Sequence, residues 1–150
     1  MAEFTYNPIQ TVVAGQNVIL NDSIPCNKGY VLHRNESGLV TLRGIVNNPC
    51  ACFARYQVTF NGNIAVPEDG TAGAISLALA VDGEPILTSR AIVTPAAVDE
   101  YFNITSTAII TVPRGCCFTL AVENTTEPVG AALAQSINVQ NANLTIARIA

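Results

Sequence analysis

The sequence predicts an all-β sandwich, and three observations carry that prediction. Tyr56, Val58 and Phe60 alternate with Gln57, Thr59 and Asn61, and Ile75, Leu77, Leu79 and Val81 alternate with Ser76, Ala78 and Ala80. A period of two places successive side chains on opposite faces of a strand. Both runs end in turn chemistry, PEDG at residues 67–70 and Asp82-Gly83, as strands of antiparallel sheets do. The rest of the chain is short Val-, Ile- and Thr-rich runs between turn residues, with no heptads, no long amphipathic helix and no fixed repeat.

Taken in order, residues 1–8 carry Phe4 and Tyr6 and end at Pro8. They read either as an arm that anchors the protein elsewhere or as a frayed terminus. One domain is expected over residues 9–150. Strands are predicted at 11–13 and 17–20 around Ala14-Gly15, at 30–33 after a Cys-Asn-Lys-Gly turn, at 39–46, at 52–60 and at 75–81. Pro85 and Pro95 leave no room for a normal helix between them, so 86–98 reads as a short strand and a connection.

Phe102, Ile104, Ala108, Ile110 and Val112 form the apolar face of a long strand. Pro113-Arg114-Gly115 then turns into Phe118, Leu120 and Val122, which reads as a second antiparallel hairpin. A loop over 124–136 leads to a closing strand that runs nearly to Ala150 and should be held inside a sheet.

A chain of 150 residues suits a single core. Only 12% of it is charged against 49% hydrophobic, about half the usual charged share, so part of the surface is expected to lie against other subunits. The net charge is -4, Lys28 is the single lysine, and Arg34, Arg43, Arg55, Arg90, Arg114 and Arg148 form no run. That argues against a nucleic-acid partner. No uninterrupted apolar segment is long enough to cross a bilayer, and the N-terminus shows no basic start followed by an apolar run. A soluble protein made without export, and with no membrane partner, is expected.

The five cysteines are Cys26, Cys50, Cys52, Cys116 and Cys117. An odd number leaves at least one thiol free or paired with another molecule. Neither Cys50/Cys52 nor Cys116/Cys117 has the C-x(2-4)-C spacing of a zinc knuckle. The preferred reading is buried thiols or a disulfide joining the segments of Cys26, Cys50 or Cys52; a composite zinc site is the alternative. His33 is the single histidine, and no nucleophile motif accompanies it, so a strand role is expected. Glu68-Asp69-Gly70 and Asp82-Gly83-Glu84 lack the ligand spacing of a calcium loop and read as tight turns. Asn35, Asn103, Asn124 and Asn143 each open an N-x-S/T sequence and read as chance matches. No cofactor, metal or catalytic residue is assigned.

The series ARYQVTFNGNIA, AGAISLALAVDGEPI, TSTAIITVPRGCCFTLAVEN and NANLTIARIA resembles the strands of the trimeric jelly roll of tumour necrosis factor-like and complement globular-head proteins. The nearest resemblance is to bacterial and phage versions, among them spore-surface collagen-like glycoproteins and small proteins of gut Firmicutes phages. It covers about residues 30–150. The resemblance implies two Greek-key sheets face to face and three copies about an axis. By position, Tyr56, Val58, Phe60, Leu77, Leu79, Ile110, Val112, Phe118 and Leu120 would fill the core, and Gln57, Thr59, Thr107 and Ile109 would face the axis. It also implies that the Tyr56 and Ile75 runs lie in opposite sheets.

The Gly-x-y stalk of the spore-surface relatives is absent from this sequence. The functional expectation is a non-enzymatic phage virion protein, a homotrimeric capsid decoration or head fibre located on the virion and held to a capsid protein. The alternative is a head on a bacterial cell or spore surface that recognises glycans or a receptor.

Overall fold

The structure is a computed structural model that describes residues 1–24, 29–128 and 133–150. Among the described residues, twelve strands and one short 3-10 turn make up the order: β1 Ala2–Tyr6, β2 Gln10–Val12, β3 Asp22–Ile24, β4 Val31–His33, β5 Val40–Arg43, β6 Phe53–Ala65, β7 Ile75–Val81, β8 Glu84–Pro85, the turn Leu87–Ser89, β9 Ala91–Val93, β10 Phe102–Pro113, β11 Cys117–Asn124 and β12 Ile137–Arg148. They pair into two antiparallel sheets. The first runs β10-β6-β12-β1-β3 with β2 also on β12, and the second runs β4-β5-β11-β7-β8 with β9 also on β7. This is the two-sheet jelly roll the sequence predicts.

Period-two alternation sets the core. Along β6, Ala54, Tyr56, Val58 and Phe60 are fully buried while Phe53, Arg55 and Gln57 point outward. Leu77, Leu79 and Leu120 meet them from the second sheet, and Leu144 and Ile146 from β12. Tyr56 is buried to its hydroxyl, which donates to the Arg43 carbonyl at 2.5 Å, so the ring fills the core without stranding a polar atom. Phe118 packs on this core only partly buried. Ser106 occupies a core-facing place in β10, and its hydroxyl is satisfied by the Ser89 carbonyl.

The Tyr56 and Ile75 runs do lie in opposite sheets, as β6 and β7. Asp82 and Gly83, with φ of 52° and 84°, make the tight turn into β8, a geometry favoured by Asp-Gly. β12 carries a bulge between Gln140 and Asn143, and Asn141 sits there at φ 56°. The extra residue lets Val139, Ala142 and Leu144 all face inward.

Three expectations are corrected. Residues 1–8 are neither a free arm nor frayed, because Ala2–Tyr6 is a strand between β12 and β3. Phe4 is buried in the core and Tyr6 packs against it. Phe4 is a core residue because alternation on a short strand buries Ala2 and Phe4 together, and Tyr6, next on that face, is partly buried at the core's margin.

The expected hairpin from 102 to 122 is also corrected: β10 pairs with β6 in the first sheet and β11 with β5 and β7 in the second. The Pro113–Cys116 turn, with Gly115 at φ 78° and Cys116 N–H donating to Pro113 O at 3.0 Å, carries the chain from one sheet to the other. Residues 17–20 form isolated bridges, Asn17 to Glu123 and Leu20 to Ser37, in place of a strand.

Candidate functional site

The four residues expected at a subunit axis come together on the outer face of the first sheet. Gln57 is registered against Ile109 and Thr59 against Thr107, while Ala147 and Thr145 of β12 flank the same two positions of β6. The face therefore shows transverse rows, Thr145-Thr59-Thr107 and Ala147-Gln57-Ile109. Ile109 stands at 63% exposure in the second row.

Thr59, Thr107 and the asparagines of this face bond one another or the backbone. Thr59 Oγ1 and Thr107 Oγ1 are 3.2 Å apart, and Thr107 Oγ1 also donates to the Val58 carbonyl at 3.0 Å. Asn103 Nδ2 donates to Asn61 Oδ1 at 2.7 Å, Asn63 Nδ2 to Asn141 Oδ1 at 3.0 Å, and Asn141 Nδ2 to Asn7 Oδ1 at 2.5 Å. Asn143 Nδ2 reaches Glu3 Oε1 at 2.6 Å, and Thr145 Oγ1 donates to Asn143 Oδ1 at 3.0 Å. Polar groups already bonded within a face lose little when that face leaves water. Asn103 and Asn143 belong to this ladder. Asn124 is buried and donates to the Val12 carbonyl at 3.0 Å, so these asparagines have structural work irrespective of their N-x-S/T context.

Among the described residues, β10 is the edge of the first sheet and pairs on one side only, with β6. A twelve-residue unpaired edge is a surface that folded proteins normally cover.

The cysteine expectation is overturned for the described residues. Cys50, Cys52, Cys116 and Cys117 are all exposed and free; Cys26 lies outside the described residues. Cys50, Cys52 and Cys116 fall in connections at one end of the sandwich and Cys117 opens β11 there with its side chain outward, so none of the four reaches the core. The two connections are clipped together: Arg114 N–H donates to Cys52 O at 2.9 Å and Gly44 N–H to Cys116 O at 2.8 Å. Among the described residues no group of three or more His, Cys, Asp and Glu side chains is placed to hold a metal ion.

His33 is half-buried, its ring 4.6 Å from that of Phe4 and its Nε2 3.0 Å from the Ser37 backbone oxygen. Its partner there is a backbone carbonyl. Asp82 Oδ1 accepts the Thr119 N–H at 2.9 Å, and Gly70 N–H donates to Pro67 O at 2.9 Å, so both acidic groups are occupied as turns.

No family model and no curated protein matches the chain. Among solved structures it is similar to the globular domain of zebrafish complement 1qA protein, at 14% identity and a TM-score of 0.53 over 96% of this chain and 94% of that one. That likeness shows the fold alone, a two-sheet jelly roll like that of the complement globular domain. The chain is also matched to the EclA C-terminal domain, a sugar-binding protein, at 17% identity and a TM-score of 0.37 over 82% of this chain and 86% of that one. A third match is the CBM22-1 xylan-binding domain of Paenibacillus barcinonensis Xyn10C, at 9% identity and 0.35 over 99% and 87%. At those scores the last two carry no argument.

Proposed function

We propose that this chain is a non-enzymatic, homotrimeric jelly-roll head that works as a virion structural protein, decorating or projecting from a phage capsid. The observation that carries the trimer is the outer face of the first sheet, an Asn/Thr ladder bordered by Glu3 and Arg55 with Ile109 exposed within it. Such a face combines low desolvation cost with an apolar contact, which suits burial against a second copy. The unpaired edge of β10 beside it argues the same way. The virion assignment is supported by the resemblance of the strand series to phage-encoded heads.

Light scattering after size exclusion tests the assembly: the expected mass is three times the 15.8 kDa of one chain, and a well-folded monomer at micromolar concentration overturns it. Antibody labelling of purified virions under the electron microscope tests the location. Label on the shell is expected; label confined to the bacterial or spore surface favours a cell-surface head.

A further inference from the structure

The arginines, scattered in the sequence, are gathered by the fold. Arg55 on β6 is registered against Thr111, Arg148 on β12 against Tyr56, and Arg43 on β5 against Cys117, while Arg114 sits in the β10–β11 turn. All four lie at the end of the sandwich where β6 starts and β10 finishes. The opposite end, about 40 Å away along a strand of this length, carries Glu68 and Asp69 after β6 and Asp99 and Glu100 before β10, with Asp99 N–H donating to Val66 O at 2.8 Å. Among the described residues the one ion pair is Arg90 to Glu127, so none of the four arginines pairs with an Asp or Glu there, and Arg148 Nε instead donates to Ala150 O at 3.1 Å. With a net charge of -4, four guanidiniums at one pole leave an excess of eight negative charges elsewhere.

Between Arg43 and Arg114 lies a groove of about 280 Å³, lined also by Gly44, Gly115, Cys116 and Cys117. Each guanidinium is steadied by one backbone carbonyl, Arg43 Nη1 on Gly29 O at 3.2 Å and Arg114 Nη1 on Pro49 O at 3.1 Å. That leaves most of each planar donor fork free to take a carboxylate in bidentate fashion.

We infer that this basic pole, centred on the Arg43–Arg114 groove, is a docking surface for a carboxylate-rich patch on a partner protein. The inference deepens the proposed function by naming how the head is held, a role that the buried Phe4 strand does not fill. Two observations favour an acidic protein surface over nucleic acid. The aromatic rings at this pole are already capped by arginines, Arg55 over Phe53 at 4.6 Å and Arg148 over Tyr30 at 4.1 Å, so they offer no open platform for bases. Arg43 and Arg114 flank one groove of about 280 Å³, which takes side-chain carboxylates in bidentate fashion and offers no continuous track for a phosphate backbone, so a glutamate polymer is the fitting probe.

The test is binding of fluorescent poly-L-glutamate to the intact protein, by anisotropy at about 50 mM and about 300 mM salt, beside a single-stranded oligonucleotide of equal charge. Binding of the glutamate polymer at low salt is expected, weakened at high salt and cut about tenfold in R43Q/R114Q, with R34Q, a charge change away from this pole, behaving as wild type. Should R43Q/R114Q fail to fold, R114Q alone, at an exposed position, carries the comparison. Absence of binding at low salt, equal loss in R34Q, or tighter binding of the oligonucleotide overturns the inference. Light scattering on the same samples separates the two readings: a trimer that ignores poly-L-glutamate removes the docking pole only, and a monomer that binds it removes the trimer only.

Discussion

Gly44 lies against the carbonyl of Pro113 so closely that a Cβ at position 44 would stand 1.9 Å from that oxygen. The same glycine donates its N–H to Cys116 O and accepts from Gly115 N–H at 3.1 Å. This contact locks the turn that passes the chain from the first sheet to the second. Gly44→Ala must push backbone away from backbone, and a destabilisation of about 3 kcal/mol is expected. Chemical denaturation checks it, and a change within experimental error would show that the crossing turn yields freely.

Phe4 distinguishes a strand from an arm. Because its ring is buried with Leu144 and Ile146 in one cluster, Phe4→Ala should cost about 3 to 5 kcal/mol. A detachable arm would leave the melting temperature unchanged, so a thermal melt separates the two.

Ile109→Lys places a charge within the uncharged rows around Gln57 and Thr59. The side chain is 63% exposed in one chain, so the fold should hold within about 0.5 kcal/mol, while three like charges brought together about an axis oppose assembly. Scattering mass should fall to that of one chain with the circular dichroism spectrum unchanged. Retention of the trimer would move the interface to another face.

Glu123 titrates above its ordinary value of 4.5, first because burial disfavours the carboxylate and then because Glu84 is nearby. A carboxyl whose folded-state value is raised binds its proton more tightly in the folded protein, so stability falls as pH rises from the unfolded value through the folded one. Glu123→Gln removes that loss. Its melting temperature should exceed that of wild type at pH 7 by more than at pH 4; an equal difference at both would exclude this titration as the cause.

The four exposed thiols give a chemical check on the cysteine arrangement. Cys50, Cys52, Cys116 and Cys117 should react with a disulfide reagent in the native, reduced protein, releasing at least four equivalents without denaturant. Fewer than four would mean that assembly or oxidation covers part of this end.

Alternation in the sequence decided which side chains face inward, because the two faces of a strand are fixed by covalent geometry. Tyr56, Val58 and Phe60 were legible as core, and Gln57, Thr59, Thr107 and Ile109 as one outer face once the family resemblance set the strands in order. Alternation does not say which strand lies beside which, since pairing depends on contacts far apart in the chain. For that reason Pro113-Arg114-Gly115 reads as a hairpin yet is a crossing between sheets, and its reason lies in Gly44, some seventy residues earlier.

The first strand was hidden for a similar reason: Phe4 has no partner in its own neighbourhood and finds one only in Leu144, registered opposite it. Four arginines that form no run in the sequence become one pole because β5, β6, β10 and β12 begin or end at the same level. The sequence by itself determined an all-β chain, its buried faces and its low charge. Tertiary structure alone decided the sheet partners, the burial of the N-terminal aromatics, the exposure of the thiols and the separation of charge, all of which depend on residues meeting across the sandwich.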